Sequence, residues 1–381
     1  MEDLVAQIAK DAECTRGLIN ACVYAHKPRD MSLLHYGDDF LILGRRRDVR
    51  WLKEQISQTL IVKDRGCIGP REDDLSSITL LHRTIYYDKK ADELFYSADP
   101  KHAKMLIEAY GFNAKSNGVV TPGVKVKPTP ENSKPLGTKE AAEYRSNCMR
   151  LGYLALDRVD LQFSAKECAR GMSNPTHRHL EILKRCVRYL IRRPMCAYSY
   201  KRQRLPRELS VYSDADWAGC PLTRKSTSGT IVMIGSHIIF TQSSTQAPLA
   251  TSSGESEFYG CVKAASRGLG LRQLAADLGI FILNDTQEKV SALATVRNGT
   301  PLHLRLYTDS SSAMGTACKR GCGKIRHIEV GSLWLQQVVA DKKITIAKIL
   351  GTKNPPDILT KFGDTKMLEY VCSKLGLVFT R

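Results

Sequence analysis

The stretch VYSDADWAG, Val211–Gly219, reads as a β-strand that carries Asp214 near its end and runs into a turn. Downstream, Thr230–Gly235 and His237–Thr241 are two β-rich runs separated by a tight turn. Thr251–Ala276 has the length and pattern of one long helix, with Ser252 or Ser253 as its N-cap. Leu304–Thr308 is a further strand that delivers Asp309 at its C-terminal end. Ile325–Val339 reads as helical and Ile344–Leu350 as an alternating strand. Asn354-Pro355-Pro356 opens a last helix bearing Asp357, since proline is compatible with a first helical turn. This order predicts an α/β region, a mixed five-stranded sheet covered by helices. Ile280–Pro301 carries little signal and is expected to be an insertion or a mobile loop.

That layout gathers four acids: Asp214, Glu257, Asp309 and Asp357. A glutamate inside a helix ordinarily faces water. Glu257, however, stands in SSGESEFYGCVKAAS, whose small residues let a helix lie close against a sheet, and it shares a face with Cys261 at i,i+4. Converging carboxylates raise one another's proton affinity, and hard divalent cations relieve that cost because Mg²⁺ takes oxygen ligands. Two such ions about 4 Å apart activate water and stabilise the leaving 3′ oxygen of a phosphodiester. The expected cofactor is therefore Mg²⁺, as two ions, with Mn²⁺ as a substitute. Nothing in the sequence reads as a nucleophile elbow, a phosphate-binding glycine loop or a dinucleotide fingerprint.

Working back toward the N-terminus, SLLHYGDDFLIL (Ser32–Leu43) is two apolar runs around a polar turn, a hairpin with Tyr36, Gly37, Asp38 and Asp39 at its tip. Asp48–Ser57 is an amphipathic helix, Ile78–Tyr87 and Leu94–Tyr96 a strand pair, and His102–Tyr110 a short helix ended by Gly111. Lys115–Thr138, with Pro122, Pro128, Pro130 and Pro135, reads as an extended connector. Helical patterns follow at Glu140–Leu154 and His179–Ile191. The second presents Lys184, Arg185 and Arg188, with Arg192 and Arg193 just beyond it. That basic face suits a phosphate backbone and equally suits plain solvation. Arg224 and Lys225 join these residues as candidate nucleic-acid contacts.

The whole chain of 381 residues has 57 Lys and Arg against 39 Asp and Glu, a formal net charge of +18, which suits a polyanionic partner. Its length allows two or three domains, and 43% hydrophobic content supports their cores. The acidic start MEDLVAQIAKDAECTR does not read as a signal peptide, and no run approaches the roughly 20 apolar residues of a membrane span. An intracellular protein, cytoplasmic or nuclear, with reduced cysteines and no membrane contact is expected. Cys318 with Cys322, and His177 with His179, lack the further ligands of a zinc set.

The motifs YSDADWAGCPLTRKSTSG (Tyr212–Gly229), SSGESEFYG (Ser252–Gly260), YTDSSSA (Tyr307–Ala313), IRHIEV (Ile325–Val330) and PPDILTKF (Pro355–Phe362) closely resemble the ribonuclease H domain of copia-type (Ty1/copia) retrotransposon Pol polyproteins. The resemblance implies that Asp214, Glu257, Asp309 and Asp357 are the catalytic and metal-binding acids, with Glu255 and Asp216 as nearby decoys. Glu257 is preferred because it precedes Phe258-Tyr259-Gly260 directly. It implies an RNA–DNA hybrid as substrate and cutting of the RNA strand to a 5′ phosphate and a 3′ hydroxyl. The loop GTKNPP before the last acid has no histidine, unlike some cellular ribonucleases H.

LLHYGDDFLILG resembles the reverse-transcriptase palm motif of the same polyproteins. VVTPGVK and YRSNCMRLGYLALDRVDLQFSAKECAR resemble the region that joins polymerase to ribonuclease H. The implied segments are a partial palm at 1–114, a linker and helical connection at 115–206, the ribonuclease H-like domain at 207–368 and a tail at 369–381. Only 37 residues precede Asp38, and none supplies an aspartate-rich palm strand, so no DNA polymerisation by this chain alone is expected. The alternatives are an inert or domesticated nucleic-acid-binding relic, and an RNA-directed DNA polymerase completed by the remainder of a polyprotein.

Overall fold

The computed structural model describes residues 2–113, 115–282, 300–323 and 325–380, and the chain divides into two compact units. One comprises Met1–Cys67, Gln203–Leu209 and Ser266–Arg305; the other comprises Ile68–Arg202, Ser210–Ala265 and Leu306–Arg381.

In the first unit the expected hairpin is present as strands Met31–Tyr36 and Asp39–Leu43. They belong to an antiparallel four-stranded sheet with Thr15–Arg16 and Val23–His26. Gly37 turns the hairpin at φ +58°, a conformation that costs little without a Cβ. Helices Glu2–Asp11 and Arg46–Ser57 bury Val5, Ile8, Leu52 and Ile56 against Tyr24 and Leu33. Leu52 and Ile56 share a helix face at i,i+4. Asp48 is buried at the start of that helix and is paired with Arg29 at 3.1 Å.

In the second unit an antiparallel sheet runs in the order Ser77–Leu80, Arg83–Asp88, Glu93–Ser97, Met195–Lys201, Leu377–Thr380. The run expected as one strand, Ile78–Tyr87, is broken at Leu81 and His82, both at positive φ. Helices Pro100–Ala109, Thr138–Ala155, Val159–Ala169, His177–Arg192 and Thr365–Lys374 contribute a common core that includes Leu106, Leu151, Leu161, Leu183 and Val371. Helix Val159–Ala169 escapes the sequence pattern because it is buried on nearly every side, leaving no polar face for a 3.6-residue period to mark.

Residues 369–380 supply the end of a helix and the strand Leu377–Thr380. That short run, rich in β-favouring residues, pairs antiparallel with Met195–Lys201. The same pairing draws 195–201 into one sheet with 77–97 and 377–380.

A further five-stranded sheet, mixed and flanked by helices, has the order His237–Thr245, Thr227–Ile234, Glu208–Ala215, His303–Thr308, Ile344–Lys348. The long helix spans Ser253–Asp277. Only Trp334–Ala340 of the expected helix Ile325–Val339 is α-helical, after a tight turn at Val330–Leu333. Pro355–Leu359 forms a 3₁₀ turn in place of an α-helix. Of the expected insertion Ile280–Pro301, residues 283–299 lie outside the described residues. Among the described residues no helix is long and apolar enough to cross a membrane.

Candidate metal centre

Strand Glu208–Ala215 ends with Asp214 buried, 6% exposed. Asp309 follows strand His303–Thr308 directly, and its neighbours fix the exit of the chain. Ser310 N donates to Thr308 Oγ1 at 3.1 Å, and Ser310 Oγ accepts from Ala313 N at 3.1 Å, capping the helix Ser311–Ala317. Glu257 lies early in the long helix. Phe258, Cys261, Ala264 and Ala265 are fully buried there. The helix approaches the strand so closely that a Cβ at Gly260 would stand 3.1 Å from Ser213 Oγ.

One carboxylate oxygen from each of Asp214, Glu257 and Asp309 lies within 4.8 Å of the others. Among the described residues this is the one group of three or more His, Cys, Asp or Glu side chains able to share a metal ion. Burial, then repulsion from Asp357 and Asp309, pushes the Asp214 carboxyl up to about 7, although a hydrogen bond from Thr360 acts against the shift. Burial, followed by the charges of Asp214 and Asp309, pushes Glu257 up to about 9. Asp309 is raised too, chiefly by burial and next by Asp357. Glu257 Oε2 is buried with no hydrogen-bond partner. Three hard oxygen donors that resist ionisation, with one orphaned oxygen among them, fit a divalent cation, which would relieve each of these costs.

Asp357 stands apart from the group of three. Its Oδ1 pairs with Lys361 Nζ at 2.5 Å, although its charge is felt at Asp214, Glu257 and Asp309. The segment that carries it is tied to the Asp214 strand at both ends. Asn354 Nδ2 donates to the Ser213 carbonyl at 2.9 Å, and the Thr360 hydroxyl donates to Asp214 Oδ2.

Glu255 and Asp216 lie outside the group of three and have hydrogen-bond partners of their own. Glu255 is 1% exposed, and its Oε2 accepts from Thr251 N at 2.9 Å, Thr251 Oγ1 at 2.6 Å and His327 Nε2 at 3.0 Å. Burial alone would raise its carboxyl, but the Thr251 and His327 hydrogen bonds more than offset this and hold it below the usual range. Asp216 accepts from the Thr227 backbone N–H. Thr360, Asn354, Lys361 and His327 were not singled out from the sequence. Thr360 and Lys361 stand inside the PPDILTKF motif, so adjacency to Asp357 was their one available signal.

At the hairpin tip Tyr36, Gly37 and Asp38 are exposed, and Asp39 lies 3.8 Å from Arg65 Nη2. Of the basic residues on His177–Arg192, Lys184, Arg188 and Arg192 are exposed. Arg185 donates to Thr121 Oγ1 at 3.0 Å and Arg188 to the Asn117 carbonyl at 3.2 Å. Arg193 stacks on Phe379 at 4.3 Å and reaches Glu369 at 3.5 Å. Part of the basic face is thus spent on holding the connector and the C-terminal helix. Arg224 is exposed on the loop after the Asp214 strand, with Lys225 half-buried beside it.

No family model matches the chain. It is 36% identical over 164 residues, 42% of its length, to the retrovirus-related Pol polyprotein from transposon RE1 of Arabidopsis thaliana. It is 36% identical over 146 residues, 38% of its length, to that from transposon RE2 of the same plant. With the retrovirus-related Pol polyprotein from transposon TNT 1-94 of Nicotiana tabacum it shares 25% identity over 364 residues, 93% of the chain. These matches span 11%, 10% and 25% of the three polyproteins. The chain is a homologue of the retrovirus-related Pol polyproteins of copia-type transposons.

Proposed function

We propose that residues 207–368 act as a ribonuclease H-like domain that hydrolyses the RNA strand of RNA–DNA hybrids with Mg²⁺ or Mn²⁺, as part of a longer polyprotein. The observation that carries this reading is the convergence of Asp214, Glu257 and Asp309 from a strand, a helix and a second strand end. Asp214, Glu257 and Asp309 would hold the divalent cations, whose chemistry when bound would be to activate water and to neutralise charge on the phosphate.

The chain's own contribution is positional. Asp214 and Asp309 stand at strand ends, Glu257 is brought in by a helix packed on small residues, and Thr360 holds one oxygen of Asp214. Asp357 offers a fourth carboxylate close by. Exposed Lys184, Arg192 and Arg224 suit a phosphate backbone, consistent with the net charge of +18.

The test is to supply the full chain with a labelled RNA–DNA hybrid and Mg²⁺ or Mn²⁺. RNA-strand cutting that leaves 5′ phosphates and disappears in Asp214→Asn is the expected result. Tight hybrid binding without cleavage in either metal would sink the enzyme reading and leave an inert nucleic-acid-binding protein.

A further inference from the structure

Lys361 is the residue of the acidic site that the reading above leaves without a role. Its ammonium sits 2.5 Å from Oδ1 of Asp357, four residues earlier in the chain, and the pair is partly open to solvent: the Lys361 side chain is 59% exposed and that of Asp357 23%. An isolated i,i+4 pair on a surface would end the matter. This one stands beside three more carboxylates, and its positive charge acts on Asp214 and Asp309 as well as on Asp357. Lys348 also acts on Asp309, but its ammonium donates to Ser311 Oγ. Asp357 is the one acid of the four that lies outside the group able to share an ion, and the one whose oxygen is already held by a cation.

We propose that Lys361 is an internal counter-ion that competes with a divalent cation for Asp357, so that the site takes up its cations in two unequal steps. The proposal rests on reading the acidic cluster as a metal centre. The three clustered acids bind first, without disturbing Lys361. Any ion that uses Asp357 must displace the ammonium. Such a half-exposed pair opens at small cost, and a doubly charged ion is a stronger partner for a carboxylate than one ammonium. Lys361 therefore keeps Asp357 neutralised until a second ion arrives, and is then released beside it.

The test is a Mn²⁺ titration of the full chain at low ionic strength, with free Mn²⁺ read by electron paramagnetic resonance. Wild type should bind one ion tightly and a second more weakly. Lys361→Gln should tighten the weaker step about two- to fivefold, the range expected for removing a partly exposed competing ion pair. The gain should vanish when Asp357→Asn is also present, since the two residues form one coupled pair. A weaker step that is unchanged or loosened in Lys361→Gln overturns the proposal. So does an equal gain that persists with Asp357→Asn, which would mark a general field effect. Because Lys361 is largely exposed, folding is not at stake. Cleavage is scored separately: the expected Mn²⁺ pattern without hybrid cutting would sink the ribonuclease reading alone, whereas no Mn²⁺ binding would overturn both.

Discussion

Thr360 donates its hydroxyl to the Asp214 carboxylate from 146 residues further along the chain, and both groups are buried. With Asn354 bonded to the Ser213 carbonyl, it clamps the segment that carries Asp357 onto the strand that carries Asp214. Thr360→Val keeps the shape and removes the donor. It should cost about 1 kcal/mol of stability and slow hybrid cleavage by roughly ten- to a hundredfold through a mis-set carboxylate. Thr360→Ser should restore most of both. Melting curves and single-turnover rates decide, and a Val variant as fast as wild type would remove Thr360 from any positioning role.

Glu257→Gln and Glu255→Gln separate the two acids of one helix. The first should abolish cleavage and weaken Mn²⁺ binding. The second should leave Mn²⁺ binding intact and cost about 1–3 kcal/mol, because the Thr251 and His327 hydrogen bonds lose a buried anion. Equal loss of Mn²⁺ affinity in both would mean that the helix presents the wrong acid to the cluster.

The raised carboxyls give the metal-free protein a defined pH response. Asp214 moves from an ordinary 3.8 to about 7 and Glu257 from 4.5 to about 9. A folded value above the unfolded one stabilises the protein while the group is protonated. That contribution is full below the unfolded value and lost as pH rises through the folded one. In EDTA, Asp214→Asn should therefore melt higher than wild type at about pH 8 and lose most of that advantage at about pH 5, the window set by the Asp214 shift. Mg²⁺ should stabilise wild type more at the higher pH. An advantage for the variant that is larger at the lower pH would contradict the sign.

Gly260→Val tests the close approach of helix to strand. The first added carbon already stands 3.1 Å from Ser213 Oγ and 3.4 Å from Ala215 Cβ. Branching there should cost about 1–3 kcal/mol by overpacking and displace Glu257. Thermal unfolding and Mn²⁺ affinity should fall together.

On the basic helix, Lys184→Glu with Arg192→Glu should weaken hybrid binding and flatten its salt dependence by about one unit of log–log slope per phosphate contact removed. Arg193→Ala should act on stability, because Arg193 is stacked on Phe379. A salt slope unchanged by the double variant would place nucleic acid on another face.

Much of the mixed sheet was readable because its strands are short β-rich runs bounded by turns and its long helix is an uninterrupted run that follows serine caps. Val211–Gly219, Thr230–Gly235 and Leu304–Thr308 each fall on an observed strand, with ends shifted by a few residues. Helix Val159–Ala169 and strand Leu377–Thr380 were not readable. One is buried nearly all round, and the other is only four residues long, too short a run to show a period.

The sequence by itself determined which acids were available, since Asp214 and Asp309 each end a local strand pattern and Glu257 lies among small residues that allow close packing. Tertiary structure alone decided their company. It brought three of the acids within 4.8 Å, turned Glu255 toward Thr251 and His327, and left Asp357 paired with Lys361. The reason is physical: a carboxylate's partners are fixed by which distant segments pack against its strand or helix, and local periodicity carries no record of that choice.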